Sequence, residues 1–191
     1  LRRPNPKFLS RFKEQRSGIG IVYGHFSYGI HEFLNVRPTY FSFVREPISR
    51  VKSLYEELCK PNSQFFEQTQ NGLALKDLVL SHSTEMTNNH MTRIISGTVP
   101  EPGVLVTEER YLQAAKENIE KHYFFIGTLE TLDSDVQKLA SMLSWNNRKL
   151  PHLNESNLSN HMLDDETLCA IEEHNHLDAA LYEWVRTRTF E

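Results

Sequence analysis

A short apolar run that leads directly into a proline-initiated helix is the feature that most constrains this fold. Residues 39–44 (TYFSFV) are rich in β-branched and aromatic side chains, which favour a strand. Pro47 then stands at the first position of a helix, where proline is favoured. That helix is predicted to end near Cys59, before Pro61, and its apolar residues recur at helical spacing: Ile48, Val51, Leu54, Tyr55 and Leu58. The pattern predicts a strand, a tight turn and a helix in succession.

The same alternation continues along the chain. Residues 19–24 and 123–126 are also predicted to be strands, because they are short apolar runs. Strands that alternate with helices are typical of an α/β domain with a parallel sheet. Residues 61–72 and 145–163 are polar and are predicted to be loops. The predicted helices cover residues 29–34, 73–81, 84–96, 107–121, 133–144, 165–174 and 177–189.

Length and composition indicate one globular domain. The chain has 191 residues, of which 39% are hydrophobic and 24% are charged, which excludes a disordered or collagen-like chain. Cys59 and Cys169 have no metal-ligand spacing, so no metal is expected. No apolar run approaches the ~20 residues that span a membrane. We expect a single domain with a basic lead segment (1–18), an α/β core (19–144) and a loop followed by C-terminal helices (145–191).

The net charge of −4 conceals an asymmetry. Residues 1–100 carry 13 Lys or Arg against 8 Asp or Glu, a net of +5, whereas residues 101–191 carry 8 against 17, a net of −9. An anionic ligand is therefore expected in the first half, and no nucleic-acid partner is predicted. The opening stretch is predicted to be a solvated arm, with a contact to a polyanionic substrate as the alternative. Its basic residues are Arg2, Arg3, Lys7, Arg11, Lys13 and Arg16.

Polar side chains follow the predicted strands at their carboxyl ends, the edge at which open parallel sheets bind ligands. Arg45 comes directly after the strand over residues 39–44, where free N–H groups at the helix start and a guanidinium would favour a phosphate. Ser53 lies off the apolar face of the same helix, and its hydroxyl is predicted to donate to the same phosphate. The alternative for Arg45 is an ion pair with Glu46 or a capping contact.

Residues 43–55 (FVREPISRVKSLY) closely resemble the 3′-phosphate-binding motif of sulfotransferases that use 3′-phosphoadenosine 5′-phosphosulfate (PAPS). That motif is a strand ending in Arg-Asp/Glu-Pro, followed by Arg and then by Ser-x-Tyr. The resemblance implies that Arg45 and Ser53 bind the 3′-phosphate of PAPS, which serves as co-substrate without a metal. It also implies a three-layer parallel sheet with flanking helices, similar to that of P-loop NTPases.

Further segments resemble the carbohydrate-type branch of these enzymes, sulfotransferase family 2. They are residues 23–31 (YGHFSYGIH), 88–97 (NNHMTRIISG), 124–130 (FFIGTLE) and 152–156 (HLNES). The resemblance implies transfer of a sulfuryl group from PAPS to a hydroxyl or amine of a carbohydrate or another hydroxylated acceptor.

The residues that would contact the acceptor are predicted both from their positions in the sequence and from the resemblance. His25 follows a predicted strand end and is predicted to remove the acceptor proton, because histidine titrates near neutral pH. His31, on the following turn, is the second choice. Asn89 and Arg93 are predicted to line the acceptor cleft, and a helix-packing network is an equal alternative for both.

Structural roles are predicted for other polar residues. Arg50 is expected on the helix surface, in an ion pair with Glu46 or Glu57. Glu130 is expected to cap the helix that follows it. Residues 172–176 (EEHNH) are rich in potential metal ligands, but they are predicted to form a solvated acidic face rather than a metal site.

One element of the family pattern is not found in this sequence. The related enzymes begin with a strand and a Pro-Lys-x-Gly-Thr-type loop for the 5′-phosphosulfate, and residues 18–20 (GIG) are no substitute because no Lys-Ser/Thr follows them. We therefore expect a fragment with an N-terminally incomplete fold. The alternatives are a non-catalytic nucleotide-binding or interaction protein and a nucleotide kinase or other phosphate-loop enzyme. The scarcity of cysteines favours the cytoplasm, with the Golgi lumen as the alternative.

Overall fold

The computed structural model describes residues 5–15, 17, 20–98, 104–145 and 163–188. Those residues form a mixed α/β fold in which helices surround a small parallel sheet. The elements in chain order are α1 (Pro6–Gln15), α2 (Ile30–Leu34), β1 (Tyr40–Val44), α3 (Pro47–Leu58), α4 (Phe66–Gln70), α5 (Leu75–Leu80), a 3₁₀ turn (Glu85–Thr87), α6 (His90–Ser96), α7 (Glu109–His122), β2 (Tyr123–Thr128), α8 (Leu132–Met142), α9 (Asp165–His174) and α10 (His176–Thr187).

The sheet aligns the carboxyl ends of its two strands. β1 and β2 pair in parallel, with Phe41 opposite Phe125 and Val44 opposite Thr128. The Leu129 amide donates to the Val44 carbonyl at 2.8 Å, which extends the contact past the end of β2. The turn after β1 and the turn after β2 therefore lie side by side. These strands confirm two of the three that the sequence predicts.

Separate apolar clusters hold the two ends of the β1–α3 unit. Val44, the last residue of β1, is buried in a cluster that joins the sheet to α6, α7 and α10. Val51 of α3 is buried in a second cluster, which joins α3 to α5 and α9. Burial of each such side chain contributes about 1.5–3 kcal/mol. The turn between β1 and α3 is consequently anchored on both sides.

The predicted strand over residues 19–24 is wrong for the part of it that the structure describes. Residues 20–24 form no strand, and Tyr23 is 89% exposed and Ile21 48% exposed. Val22 packs against the apolar cluster between α1 and α2 instead. An apolar run becomes a strand only where a neighbouring strand supplies hydrogen bonds. No described residue supplies them to this segment.

The basic lead segment contains a helix rather than a solvated arm. Within α1, Phe12 is buried, and the centre of the Phe8 ring lies 5.1 Å from that of Phe26. Apolar residues at helical spacing therefore fix this segment against the fold. The basic residues Lys7, Arg11 and Lys13 remain exposed, while Arg2, Arg3 and Arg16 lie outside the described residues.

Several helix boundaries differ from the prediction. The helix expected over residues 84–96 is divided into the 3₁₀ turn and α6, because Asn89 has a positive φ of 41° that interrupts the helix. α4 forms within the predicted loop over residues 61–72. Thr107 does not cap α7, whose N-terminal flank is Glu108 without a side-chain capping bond. Among the described residues, the helices are too short or too polar to cross a membrane.

Gly127→Ala is expected to destabilise the fold. A Cβ at Gly127 would lie 2.7 Å from Oδ2 of Asp135. That carboxylate is held by the Thr128 amide at 3.0 Å and by the Thr131 hydroxyl at 2.6 Å, so it has little freedom to withdraw. We expect the free energy of unfolding, measured in urea, to fall by about 1–3 kcal/mol. Gly20→Ala is the control, because nothing lies within 4 Å of a Cβ there. Wild-type stability in Gly127→Ala would contradict this close approach.

Candidate functional site

The turn between β1 and α3 is fixed by side chains from two other elements. The Arg45 amide donates to Sδ of Met91, in α6, at 3.4 Å. The Glu46 amide donates to Oε1 of Glu130, which follows β2, at 3.0 Å. Glu130 therefore does not cap α8, whose N-terminal flank, Thr131, makes no side-chain capping bond. The backbone at the carboxyl edge of the sheet is held from both sides.

Glu46 caps the helix that this turn begins. Its carboxylate accepts hydrogen bonds from the Ile48 amide at 2.9 Å and from the Ser49 amide at 2.7 Å. A carboxylate at this position also interacts favourably with the helix dipole. The prediction that free amides at the start of α3 attract an anion is wrong for these two amides, since Glu46 occupies them. An anion at this edge has to be bound by side chains.

Arg45 and Ser53 are available for such a contact. Both are half-buried, and neither side chain has a hydrogen bond or ion pair with another residue in the described part of the chain. The alternative predicted for Arg45, an ion pair with Glu46, is not formed. Ser53 lies one helical turn after Ser49, so that the two hydroxyl side chains share the face of α3 that its apolar residues leave open.

Arg50 is largely buried and not the surface residue that the sequence predicts. Its Nη2 donates to the Met86 carbonyl at 2.8 Å and to Oδ1 of Asn175 at 3.3 Å. Its Nε lies 3.9 Å from Oδ2 of Asp178, so its ionic partner is on α10 and not on α3. Burial lowers the pKa of Arg50, and Asp178 opposes that change. Arg50 thus links α3 to the 3₁₀ turn and α10.

A second histidine lies near His25. His25 is exposed, whereas His90, the first residue of α6, is partly buried. Burial lowers the pKa of His90 to about 3, and the nearby positive charges of Arg50, Arg93 and His25 add to the effect. His90 therefore lies within electrostatic reach of both His25 and Arg50. The sequence offers no signal for His90, because a lone histidine at a helix start is not distinctive.

His31 lies at the opposite edge of the sheet. Its Nδ1 is 2.6 Å from the hydroxyl oxygen of Tyr40, the first residue of β1. A strand rises by about 3.3 Å per residue, which places Tyr40 roughly 16 Å from Arg45 along β1. The structure brings His25, but not His31, near the start of α6.

Asn89 and Arg93 form a packing network in this structure. Asn89 is 0% exposed, and its Nδ2 donates to the Val106 carbonyl at 2.6 Å. Arg93 is buried, donates to Oδ1 of Asn88 at 3.1 Å, and lies 3.7 Å from a carboxylate oxygen of Glu85. These contacts correspond to the alternative given for both residues. The acceptor contact stays a prediction that needs these side chains to become accessible.

The described residues contain no group of three or more histidine, cysteine, aspartate or glutamate side chains that could hold a metal ion. The predicted Asn-containing loop over residues 152–156 lies outside the described residues.

A family model described as "Sulfotransferase family" matches residues 10–186, which is well over half of the chain. The match includes both strands and all of the side chains described in this candidate site. A search of curated proteins found no match.

His90 is expected to make the fold sensitive to acid. Because its pKa is about 3 in the native state and ordinarily about 6.5, the unfolded chain binds the proton first, and stability falls as the pH drops below about 6.5 towards 3. The loss is about 1.4 kcal/mol for each pH unit in that window. Urea unfolding at pH 7.5 and pH 5.0 should show a difference about 2 kcal/mol smaller in His90→Gln than in wild type. His122→Gln, at an exposed position, is the control. The same acid sensitivity in wild type and His90→Gln would contradict the assignment.

Proposed function

This chain belongs to the sulfotransferase family, and we propose that it transfers a sulfuryl group from PAPS to a hydroxyl or amine of a carbohydrate or another acceptor. The family supports a sulfotransferase activity in general. The observation that carries the specific proposal is the pair formed by Arg45 and Ser53. Both side chains follow a fixed strand end, and both lack partners among the described residues.

The nucleotide end of the proposed site is formed by α3 and the turn before it. The guanidinium of Arg45 supplies a permanent positive charge and a planar set of donors suited to phosphate. The Ser53 hydroxyl supplies a neutral donor from the same element. Since Glu46 already occupies the amides of Ile48 and Ser49, these two side chains carry the recognition of the 3′-phosphate.

The proposed reaction is an in-line displacement at sulfur. A bond forms between the acceptor oxygen or nitrogen and sulfur, and the bond between sulfur and the 5′-phosphate oxygen breaks, so that adenosine 3′,5′-bisphosphate leaves. Such transfers depend mainly on positioning and charge stabilisation. The acceptor proton passes to a ring nitrogen of His25, which is exposed and lies near His90. His31 remains the second choice, although its ring contacts Tyr40 at the other edge of the sheet.

We also propose that the chain forms one domain of the three-layer, P-loop NTPase-like kind, in which further strands would flank β1 and β2. The extent of the family match, residues 10–186, supports one domain. Asn89 and Arg93 would then act on the acceptor side of the site indirectly, through the buried hydrogen bonds that they make within the protein.

Removal of either side chain proposed to bind the 3′-phosphate, Arg45 or Ser53, is expected to weaken nucleotide binding. Arg45→Ala should lower the affinity for adenosine 3′,5′-bisphosphate about 10- to 100-fold, because a charged hydrogen bond is worth about 1.5–3 kcal/mol. Ser53→Ala should lower it about 10-fold, because the hydroxyl donates to a charged phosphate and such a bond is worth about 1.5 kcal/mol or more. Isothermal titration calorimetry with adenosine 3′,5′-bisphosphate and with 5′-AMP measures both effects. Arg110→Ala, which changes an exposed arginine on α7, is the control. Equal wild-type affinity for the two nucleotides would refute a 3′-phosphate site.

His25→Ala is expected to abolish sulfuryl transfer while adenosine 3′,5′-bisphosphate still binds. Loss of a positioned base typically costs about 100- to 10,000-fold in rate. The assay is transfer of radiolabelled sulfate from PAPS to chemically desulfated heparan and chondroitin. His31→Ala is assayed in parallel, and a loss confined to His31→Ala would reverse the order of the two histidines. Normal turnover in His25→Ala would contradict the assignment of His25 as the base. Nucleotide binding by a wild-type protein that transfers nothing to any acceptor would favour the non-catalytic alternative.

A further inference from the structure

Two buried side chains cap each other's helices. Oδ1 of Asn89, which precedes α6, accepts hydrogen bonds from the amides of Leu177 and Asp178 in the first turn of α10, at 2.9 and 3.0 Å. The Asp178 carboxylate in turn accepts hydrogen bonds from the Met91 and Thr92 amides in the first turn of α6, at 3.0 and 2.7 Å. Asn89 and Asp178 are both 0% exposed. Each helix start is therefore completed by a side chain from the other helix, and water cannot replace either contact.

This reciprocal cap is connected to the nucleotide end of the site along two routes. The first runs through Met91, whose amide is bound by Asp178 and whose Sδ accepts the hydrogen bond from the Arg45 amide. The second runs through Arg50, whose Nε lies 3.9 Å from Oδ2 of Asp178 and which belongs to α3, the helix that carries Ser53. Asp178 thus contacts Met91, which bonds to the Arg45 backbone, and Arg50, which lies in the same helix as Ser53.

The negative charge of Asp178 is needed for the second route. Arg50 is largely buried, and its Nε has no hydrogen-bond partner. The carboxylate of Asp178 is the anion beside it, and Arg45 adds a further positive charge nearby. A neutral side chain at position 178 would leave the guanidinium of Arg50 desolvated and unpaired, which favours movement of α3 or of the Arg50 side chain.

We propose that Asp178 is a positioning residue for the nucleotide end of the site, acting through Met91 on the Arg45 backbone and through Arg50 on α3. Asp178 does not touch the ligand. Its consequence for nucleotide binding rests on the proposed function, whereas its effect on the Arg45 backbone is independent of any ligand.

The test compares Asp178→Asn with a variant at the other end of α6. The amide of asparagine keeps the size of the side chain but removes the charge and can accept fewer hydrogen bonds from the two amides. Asn118→Ala is the matched control, because Asn118 donates to the carbonyls of Ile95 and Ser96 at the C-terminal end of α6. We measure hydrogen exchange of the Arg45 amide in the ligand-free protein and the dissociation constant for adenosine 3′,5′-bisphosphate.

In Asp178→Asn we expect faster exchange of the Arg45 amide and about tenfold weaker nucleotide binding, since small misplacements of ligating groups are costly. Asn118→Ala should change neither quantity, although it also loses two partly buried hydrogen bonds. Should Asp178→Asn fail to fold, Met91→Leu keeps the volume, removes the sulfur acceptor, and is expected to speed the exchange of the same amide.

Unchanged exchange of the Arg45 amide in Asp178→Asn, or in Met91→Leu if that variant is used, overturns the proposal, as does an equal effect of Asn118→Ala. Absence of nucleotide binding by the wild type would instead count against the proposed function, and amide exchange would still decide the role of Asp178.

Discussion

The parallel pairing of β1 with β2 is the constraint from which the site follows. Because Val44 and Thr128 are opposite each other, both strands end at the same edge, and the two turns that follow them touch. Glu130 can then reach the amide of Glu46, which a different register would prevent. The sheet contributes little charge of its own. It sets the edge at which α3 begins and at which Arg45 leaves the strand.

Some charged side chains at this edge of the sheet are bonded to other parts of the protein, and others are available to bind a ligand. The carboxylates of Glu46, Glu130 and Asp178 are each bonded to backbone amides, and Asp178 also lies beside the guanidinium of Arg50. Arg50 is committed to the 3₁₀ turn and to α10. Among the described residues, the cation left without a partner at the turn is Arg45. A dianionic phosphate, as proposed above, would give Arg45 the ionic partner that these residues do not supply.

The sequence predicts the parts of this fold that depend on neighbours along the chain. The strand before Arg45 and the helix from Pro47 both follow from local patterns. The run over residues 20–24 has an equally suitable composition but no partner strand among the described residues, and composition does not reveal a partner. The ionic partner of Arg50 is 128 positions away in the chain, and the hydrogen bonds that join the starts of α6 and α10 span 86 to 89 positions, so neither contact has a local signature. The sequence motif identifies Arg45 and Ser53. The residues that hold them in place can be recognised only from the three-dimensional structure.

The reciprocal cap of α6 and α10 also affects the order in which the protein acquires its structure. The hydrogen bonds between Asp178 and the start of α6 join residues 86 and 87 positions apart. Synthesis proceeds from the N-terminus, so the strand end and α3 emerge well before the side chain that completes α6 is made. Until then, the first turn of α6 has unsatisfied amides, and contacts between distant residues form slowly. In a nascent chain that already carries Arg45 and Ser53, the turn before α3 would therefore lack its contact with a completed α6 until α10 docks, so the proposed nucleotide end of the site would be assembled late in folding.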